Sequence, residues 1–438
     1  MRIVLETALN RGEAEYQNFG DVSMLQAAVT LLQEMLPSAR IEVLTESPEN
    51  LKRYCPGARA LPRLCRDLWC GESFLFGRFR QLFPSRLAAW LDLVTEAMER
   101  RLPVLLRHLV GLRLAVRDDE GIRDDLMAFL DALENADLLL ICGAGCFTDS
   151  TVEYWDNSIL DLLKAAMRRG IPTVMVGQGM GPLDDLKARS RMRSVLPLVD
   201  LVSLRGGRGG MELIELVGVP RDKIMTTGDE SIEMAYEARV DELGEGLGIN
   251  LRVAPYANTE KDLIEKLRPV LQDFARSRNA PMVPLPIAVH RWAGDHETIM
   301  QLSAGYGEDS DGGAGIDSPM EVIRQAGRCR IVVTGAYHAA VFALAQGIPV
   351  VCLAKSPYYE AKFLGLEDQF GIGCETVFLD DPDAYWKLTA AMEKAWESAE
   401  RVRLPLQQAA LRQIEARRLA YSRARELAIA HASRRNRS

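Results

Sequence analysis

Short apolar runs alternate with stretches of helical period along most of the chain. MRIVLETA predicts a first strand. After a loop, Val22, Leu25, Ala28, Val29, Leu32, Met35 and Leu36 recur every three or four positions, which is the spacing of a helix with one buried face. Asp21 stands where a capping side chain is expected. IEVLTES (41–47) predicts the second strand, and the rhythm returns in ADLLLICGAG (136–145), IPTVMVGQGMGP (171–182), DLVSLR (200–205) and KIMTTGDES (223–231). A second set follows: LGINLRV (247–253), APMVPLPIAVH (280–290), CRIVVTGAYH (329–338) and IPVVCLAKS (348–356). Near-continuous apolar strands joined by helices argue for parallel sheets covered on both faces. The expected fold is therefore α/β, with two Rossmann-like domains facing a cleft. A Glu- and Gly-rich link near 236–246 divides the chain into domains at 1–238 and 239–400, with a C-terminal helix over 401–438. Residues 62–134 break the rhythm. They are Leu- and Arg-rich and helical in pattern, and they read as a helical insertion.

Composition narrows the function classes. The formal charge of −8 argues against a nucleic-acid partner, which would call for clustered cations to neutralise phosphates. The eight Cys include no CxxC pair and the five His no HxxxH or HExxH spacing, so neither a disulfide frame nor a metal site is expected. MRIVLETALN lacks a basic stretch followed by an apolar one, and no window holds 18 uninterrupted apolar residues, so a cytoplasmic location is expected. The charge is uneven, however: residues 401–438 carry ten Arg against Glu415 and Glu426. The plainer expectation is a helix whose arginines lie on an acidic surface or in water. The sharper one is peripheral contact with anionic lipid at the inner face of a membrane. FLFGRFRQLF, inside the insertion, invites the same pair of readings. Nothing in the sequence fixes an oligomeric state.

Chemistry is sought at strand ends, because ligands of open parallel sheets bind beyond their carboxyl edges. His338 lies just past CRIVVTG at the start of the helix AAVFALAQ, close to backbone N–H groups that favour anions. An imidazole titrates near neutrality and can act as acid or base. Arg205 ends DLVSLR, where a guanidinium can pair with phosphate or carboxylate through two parallel bonds. Asp229 follows Gly228 and suits a helix cap, the orienting of His338 or a sugar hydroxyl. Asp21 and Asp149 suit either a cap or a sugar hydroxyl. Glycines 143, 145, 177, 179 and 181 permit close backbone approach to a ligand, although tight turns need glycine without any ligand. His290 and Arg291 end the strand expected at 280–290 and also face the cleft. His108 and His296 read as structural.

In chain order, Asn18-Phe19-Gly20-Asp21, Gly143-Ala144-Gly145 followed by Asp149, Gly177-Gln178-Gly179-Met180-Gly181-Pro182, Ser203-Leu204-Arg205, Gly228-Asp229, the His338 stretch, Gly347-Ile348-Pro349 and Lys362 form a series. That series resembles the polysaccharide pyruvyl transferase family over most of the chain. The resemblance implies a glycosyltransferase-B-like architecture and transfer of the enolpyruvyl unit of phosphoenolpyruvate to a sugar diol as a ketal. It implies His338, Arg205 and Asp229 as catalytic residues. It implies Asn18, Asp21, Gly143, Gly145, Asp149, Gln178, Gly179, His290, Arg291, Tyr337 and Lys362 as substrate-binding residues, with the acceptor on the first domain and the donor on the second. No cofactor or metal is implied; the partners are the small donor and a glycan, free or lipid-linked. One departure stands out. The family commonly has Arg two residues before the His, and here Ala336 occupies that place. Arg205, Arg291, Lys355 and Lys362 are the candidates to supply the missing cation. A nucleotide-sugar glycosyltransferase and a non-catalytic glycan-binding relative are the alternatives.

Overall fold

The computed structural model of the protein describes residues 1–7, 16–66, 87, 94, 120–143, 145–150, 156–253, 257, 259, 262–290, 294–307 and 310–437. Twelve strands among them form two parallel sheets. The first holds β1 (Arg2–Glu6), β2 (Arg40–Thr45), β3 (Arg59–Pro62), β4 (Leu138–Ile141), β5 (Thr173–Gln178), β6 (Leu201–Leu204) and β7 (Ile224–Thr226) in the order β3-β2-β1-β4-β5-β6-β7. The second holds β8 (Gly246–Asn250), β9 (Met282–Pro284), β10 (Cys329–Thr334), β11 (Val350–Ala354) and β12 (Cys374–Phe378) in the order β12-β11-β10-β8-β9. Strand order reverses between β1 and β4 in one sheet and between β8 and β10 in the other. At such points the following helices leave on opposite faces and open a crevice at the strand ends. The central strands β1, β4, β5, β10 and β11 are buried at almost every position, which is why their sequences read as unbroken apolar runs.

The edge strands β3 and β12 were not legible in the pattern, being short and mixed in character. The strand expected at 280–290 is shorter than its sequence suggests. It ends at Pro284, because Pro284 and Pro286 offer no N–H to a ladder. The chain then turns toward the first sheet. Asp295 Oδ2 holds it there by accepting from the backbone N–H of Ile287 and of Ala288, each at 2.9 Å. Ala288 bridges Asn18 antiparallel, with Phe19 N–H donating to Ile287 O and Val289 N–H to Gln17 O, both at 2.8 Å. Backbone bonds thus clip the β1 loop to the second sheet.

Of the expected insertion, the structure describes Arg63–Arg66 and Glu120–Glu134, both helical. FLFGRFRQLF and His108 lie outside the described residues. The basic C-terminal run belongs to a longer helix, Ala384–Arg435, which begins in the second unit and returns to the first. Its arginines divide. Arg417 and Arg418 pair with Glu230, Glu233 and Glu34, while Arg435 reaches Asp137 and Arg403 a backbone carbonyl. Arg401, Arg412, Arg423, Arg425, Arg434 and Arg437 are exposed. No helix among the described residues is long and apolar enough to cross a membrane.

Candidate active site

The helix Phe19–Met35 is capped by Asn18 rather than by Asp21. Asn18 is extended, and its Oδ1 accepts from the N–H of Gly20 at 3.0 Å and of Asp21 at 3.3 Å. Asp21 is left in the first turn with its carboxyl free of that duty. Gly20 has a different task. A Cβ built there would lie 1.8 Å from His338 Nδ1, so the imidazole rests directly on bare backbone. No other residue type leaves that space. This explains the glycine between Asn18 and Asp21, and it brings a side chain from beyond β10 against the helix that follows β1.

The opposite edge of the same ring faces Asp229, with Nε2 3.5 Å from Oδ2. That oxygen also accepts from Arg205 Nη1 at 3.0 Å. Oδ1 accepts from the Ser231 N–H at 3.0 Å and from the Ser231 hydroxyl. One oxygen of this carboxylate therefore fixes the turn ahead of the helix Ile232–Glu237, whose cap position is Ser231, and the other faces both Arg205 and His338. Burial works to raise the Asp229 pKa, but the charges of His338 and Arg205 and the hydrogen bonds around it prevail and hold it well below the usual carboxylate range. Asp21 moves the other way. Burial raises its pKa, with His338, Arg205 and Lys362 opposing.

Arg205 is 5% exposed, and its Nε has no hydrogen-bond partner. Gly179 leaves room for it, since a Cβ there would stand 2.9 Å from that Nε. The guanidinium carbon sits 5.1 Å from the centre of the Tyr337 ring, and Lys362 Nζ lies 5.4 Å from the same centre. Tyr337 is therefore flanked by two cations. Burial, then Asp229, pushes its phenol pKa up. Lys362 donates to the Tyr358 hydroxyl. Burial, then the Arg205 charge, lowers its pKa to about 7.

Beside these groups opens a crevice of about 440 Å³, which includes open solvent. Gln178, Gly179, Arg205 and Gly206 line it from the first unit, and Tyr337, Lys362 and Gln369 from the second. Gln178 is held by its Nε2, which donates to Val176 O at 2.8 Å and to Ile141 O and Cys142 O at 3.2 Å, while its buried Oε1 has no partner. His338 does not line the crevice and is 6% exposed. It is nevertheless not sealed in apolar packing, because charged and polar groups meet it.

Other expected residues serve elsewhere. Asp149 accepts from the backbone N–H of Asp184 and of Asp185, which ties one loop to the next. Gly143 packs beneath the Gly177 carbonyl, and Gly145 against Tyr358 and Lys362. His290 Nδ1 is 3.3 Å from Gln17 Oε1, within the clip between the units. Its pKa is lowered by burial and then by Arg252, against Asp295. Arg291 lies outside the described residues. Ala336 caps its helix through backbone alone, its N–H donating to Thr334 Oγ1 at 2.9 Å.

Three residues escaped the sequence reading. Tyr358 stands four positions before Lys362 on the helix Pro357–Phe370, a spacing that makes them neighbours. Gln369 lies on the same helix and reaches Gly206. Glu230 gives no local signal, because its partners Arg417 and Tyr421 come from the last helix.

Comparison with known proteins agrees with this geometry. Three solved structures share the fold. A glycotransferase of kitacinnamycin is 12% identical with a TM-score of 0.50, covering 97% of this chain and 98% of that one. A putative UDP-N-acetylglucosamine 2-epimerase from Listeria monocytogenes is 10% identical with a TM-score of 0.52, covering 95% and 93%. UDP-GlcNAc 2-epimerase from Methanocaldococcus jannaschii is 10% identical with a TM-score of 0.50, covering 96% and 99%. The fold is thus glycosyltransferase-B-like, as the resemblance implied, with the two parallel α/β units that the alternation of strands and helices predicted. No curated protein matches the sequence. Residues 18–357 match the family described as polysaccharide pyruvyl transferase, a span that runs from the Asn18 cap past His338 to the start of the Lys362 helix. The chain belongs to the polysaccharide pyruvyl transferase family.

Proposed function

We propose that the protein transfers the pyruvyl unit of phosphoenolpyruvate to a sugar diol of a polysaccharide or its precursor, forming a ketal and releasing phosphate. The observation that carries this reading is the pair of cations lining the crevice, Arg205 from the first unit and Lys362 from the second, 5.1 and 5.4 Å from the centre of the Tyr337 ring. A donor bearing both phosphate and carboxylate suits such a crevice. The expectation that the donor belongs to the second domain is accordingly revised to one shared between both, with the two cations standing in for the arginine missing at Ala336.

In the reaction a proton adds to the methylene carbon of the donor and one hydroxyl adds to the adjacent carbon. Phosphate leaves with the proton of the second hydroxyl as that hydroxyl closes the ketal. His338 is the proton-transferring group and Asp229 fixes its ring. Because the ring is 6% exposed, this role requires the cleft to open. Gln178 Oε1, a fixed acceptor without a partner, suits a sugar hydroxyl. The chemistry needs no metal or cofactor, and it suits a cytoplasmic glycan acceptor, free or lipid-linked.

Incubation with phosphoenolpyruvate and a panel of terminal galactosides, mannosides and glucosides tests the reading. Phosphate release that requires an acceptor and disappears in Arg205→Gln is the expected result. Thermal stabilisation by nucleotide sugars with no response to phosphoenolpyruvate would replace it with glycosyl transfer. Glycan binding without turnover would replace it with a binding role.

A further inference from the structure

An amine drawn partly out of water normally has a carboxylate beside it, and the half-buried Lys362 has none. Among the described residues, its ammonium donates to one neutral phenol, Tyr358, and forms no ion pair. Three rings surround it, those of Tyr358, Tyr337 and Tyr359, with centres 3.9, 5.4 and 5.7 Å from Nζ. A charge of the same sign, Arg205, stands 5.1 Å from the centre of the Tyr337 ring and acts on Lys362 through space. The acids that act on Lys362 do so through space. They are Asp21 from the helix after β1, Asp229 beyond β7, and Cys146 from the loop after β4. Asp229 is already occupied by Arg205 and Ser231 and approached by His338, and Asp21 is itself pushed toward its neutral form. A full positive charge on Nζ is therefore poorly compensated while the crevice holds no anion.

We propose that Lys362 gives up its proton in the ligand-free protein and takes one from solvent when an anion enters between it and Arg205. The step balances simply: a neutral amine and a solvent proton become an ammonium, which then pairs with the phosphate or carboxylate of the bound molecule. This makes Lys362 a positioning cation that is switched on by its own ligand. The lowered pKa, to about 7, agrees with the geometry. The inference rests on the crevice being the anion site proposed above, so its tests separate the two ideas.

The ligand-free protein provides the first test. Competitive amine labelling across pH, read by mass spectrometry at Lys362, should show a midpoint near 7, against the ordinary lysine value of 10.5. A midpoint near the ordinary value would overturn the proposal whatever the ligand. Calorimetry of phosphoenolpyruvate binding at pH 8 in buffers of different ionisation enthalpy provides the second. Uptake approaching about one proton per donor bound is expected for the native protein. Binding without uptake is expected for Lys362→Arg, whose guanidinium cannot give up its proton. Binding with no uptake in the native protein, or with equal uptake in Lys362→Arg, overturns the proposal and leaves the donor assignment standing. A shifted labelling midpoint with no phosphoenolpyruvate binding would instead overturn the donor assignment.

Discussion

Asp229 and Glu230 are neighbours in sequence, and each meets a buried arginine, but the two arginines are spent differently. On the side of the C-terminal helix, Arg417 uses every nitrogen. Three of its five N–H groups, one on each nitrogen, are seen bonded: Nε to Glu230 at 2.8 Å, Nη1 to Glu233 and Nη2 to Ala27 O at 2.7 Å, while Tyr421 also donates to Glu230 at 2.7 Å. On the crevice side, Arg205 gives Nη1 to Asp229 and keeps a buried Nε without a partner, and the amine of Lys362 near the same Tyr337 ring has no ion pair among the described residues. Native proteins pair almost all buried polar atoms. Around Arg417 every guanidinium nitrogen is bonded, the unpartnered atom being Glu230 Oε1, and the cluster reads as structure holding the last helix to the first unit. Around Arg205 the unpartnered atom is the cation's own donor, and that cluster reads as structure waiting for an anion.

Substitutions can break that contrast, and the largest effect is expected in the crevice. Arg205→Gln should lower acceptor-dependent phosphate release by about 10²–10³-fold, the usual loss when a transition-state donor is removed, with a smaller loss of stability than Arg417→Ala, because Ser231 and His338 still meet Asp229. Arg417→Ala should do the reverse, because it leaves Glu230 buried with an unpaired charge. Urea unfolding should show a loss of about 3–5 kcal/mol. If Arg205→Gln unfolds the protein as readily as Arg417→Ala does, the two clusters are of one kind and the distinction fails.

Gly20→Ala sharpens the comparison at the ring. Its Cβ would meet His338 Nδ1 at 1.8 Å, so the imidazole must leave Asp229. Displacing a reacting group by about 1 Å can cost about 10²-fold in rate, and turnover measured beside unchanged phosphoenolpyruvate affinity would locate the loss in catalysis. The smallest effect concerns Lys362 and stability. Its folded pKa is about 7 against an ordinary 10.5, so between those values the unfolded chain binds more protons and stability rises with pH. The penalty is fully present below pH 7 and gone above pH 10.5. Lys362→Met should therefore flatten the pH dependence of the unfolding midpoint over that window, and raise the midpoint at pH 7 by roughly 2–4 °C.

What was legible in the sequence was whatever local pattern encodes. The buried central strands announced themselves as apolar runs, and His338, Arg205 and Asp229 were found because strand ends are where open sheets place their chemistry. The structure brings these three together, with Asp21, Tyr337 and Lys362 around them. Errors arose where tertiary bonds override local pattern. PMVPLPIAVH looks like a long strand, but its prolines and the pull of Asp295 turn it into the clip between units. Asp21 looks like a cap, but the helix already begins at Phe19 and Asn18 caps it. Asp149 takes the structural role its position allows, with both of its oxygens accepting at the turn of Asp184. Glu230 was missed because the meaning of a buried carboxylate lies in its partner, and Arg417 is far along the chain.

The central claim is tested most directly by a crystal structure of the protein soaked with phosphoenolpyruvate. The account predicts density for the donor between the Arg205 guanidinium and Lys362 Nζ, with Tyr337 beside it and an oxygen of the ligand taking the unpartnered Arg205 Nε. Donor density elsewhere in the cleft, with Arg205 still bonded to Asp229 alone, would contradict it.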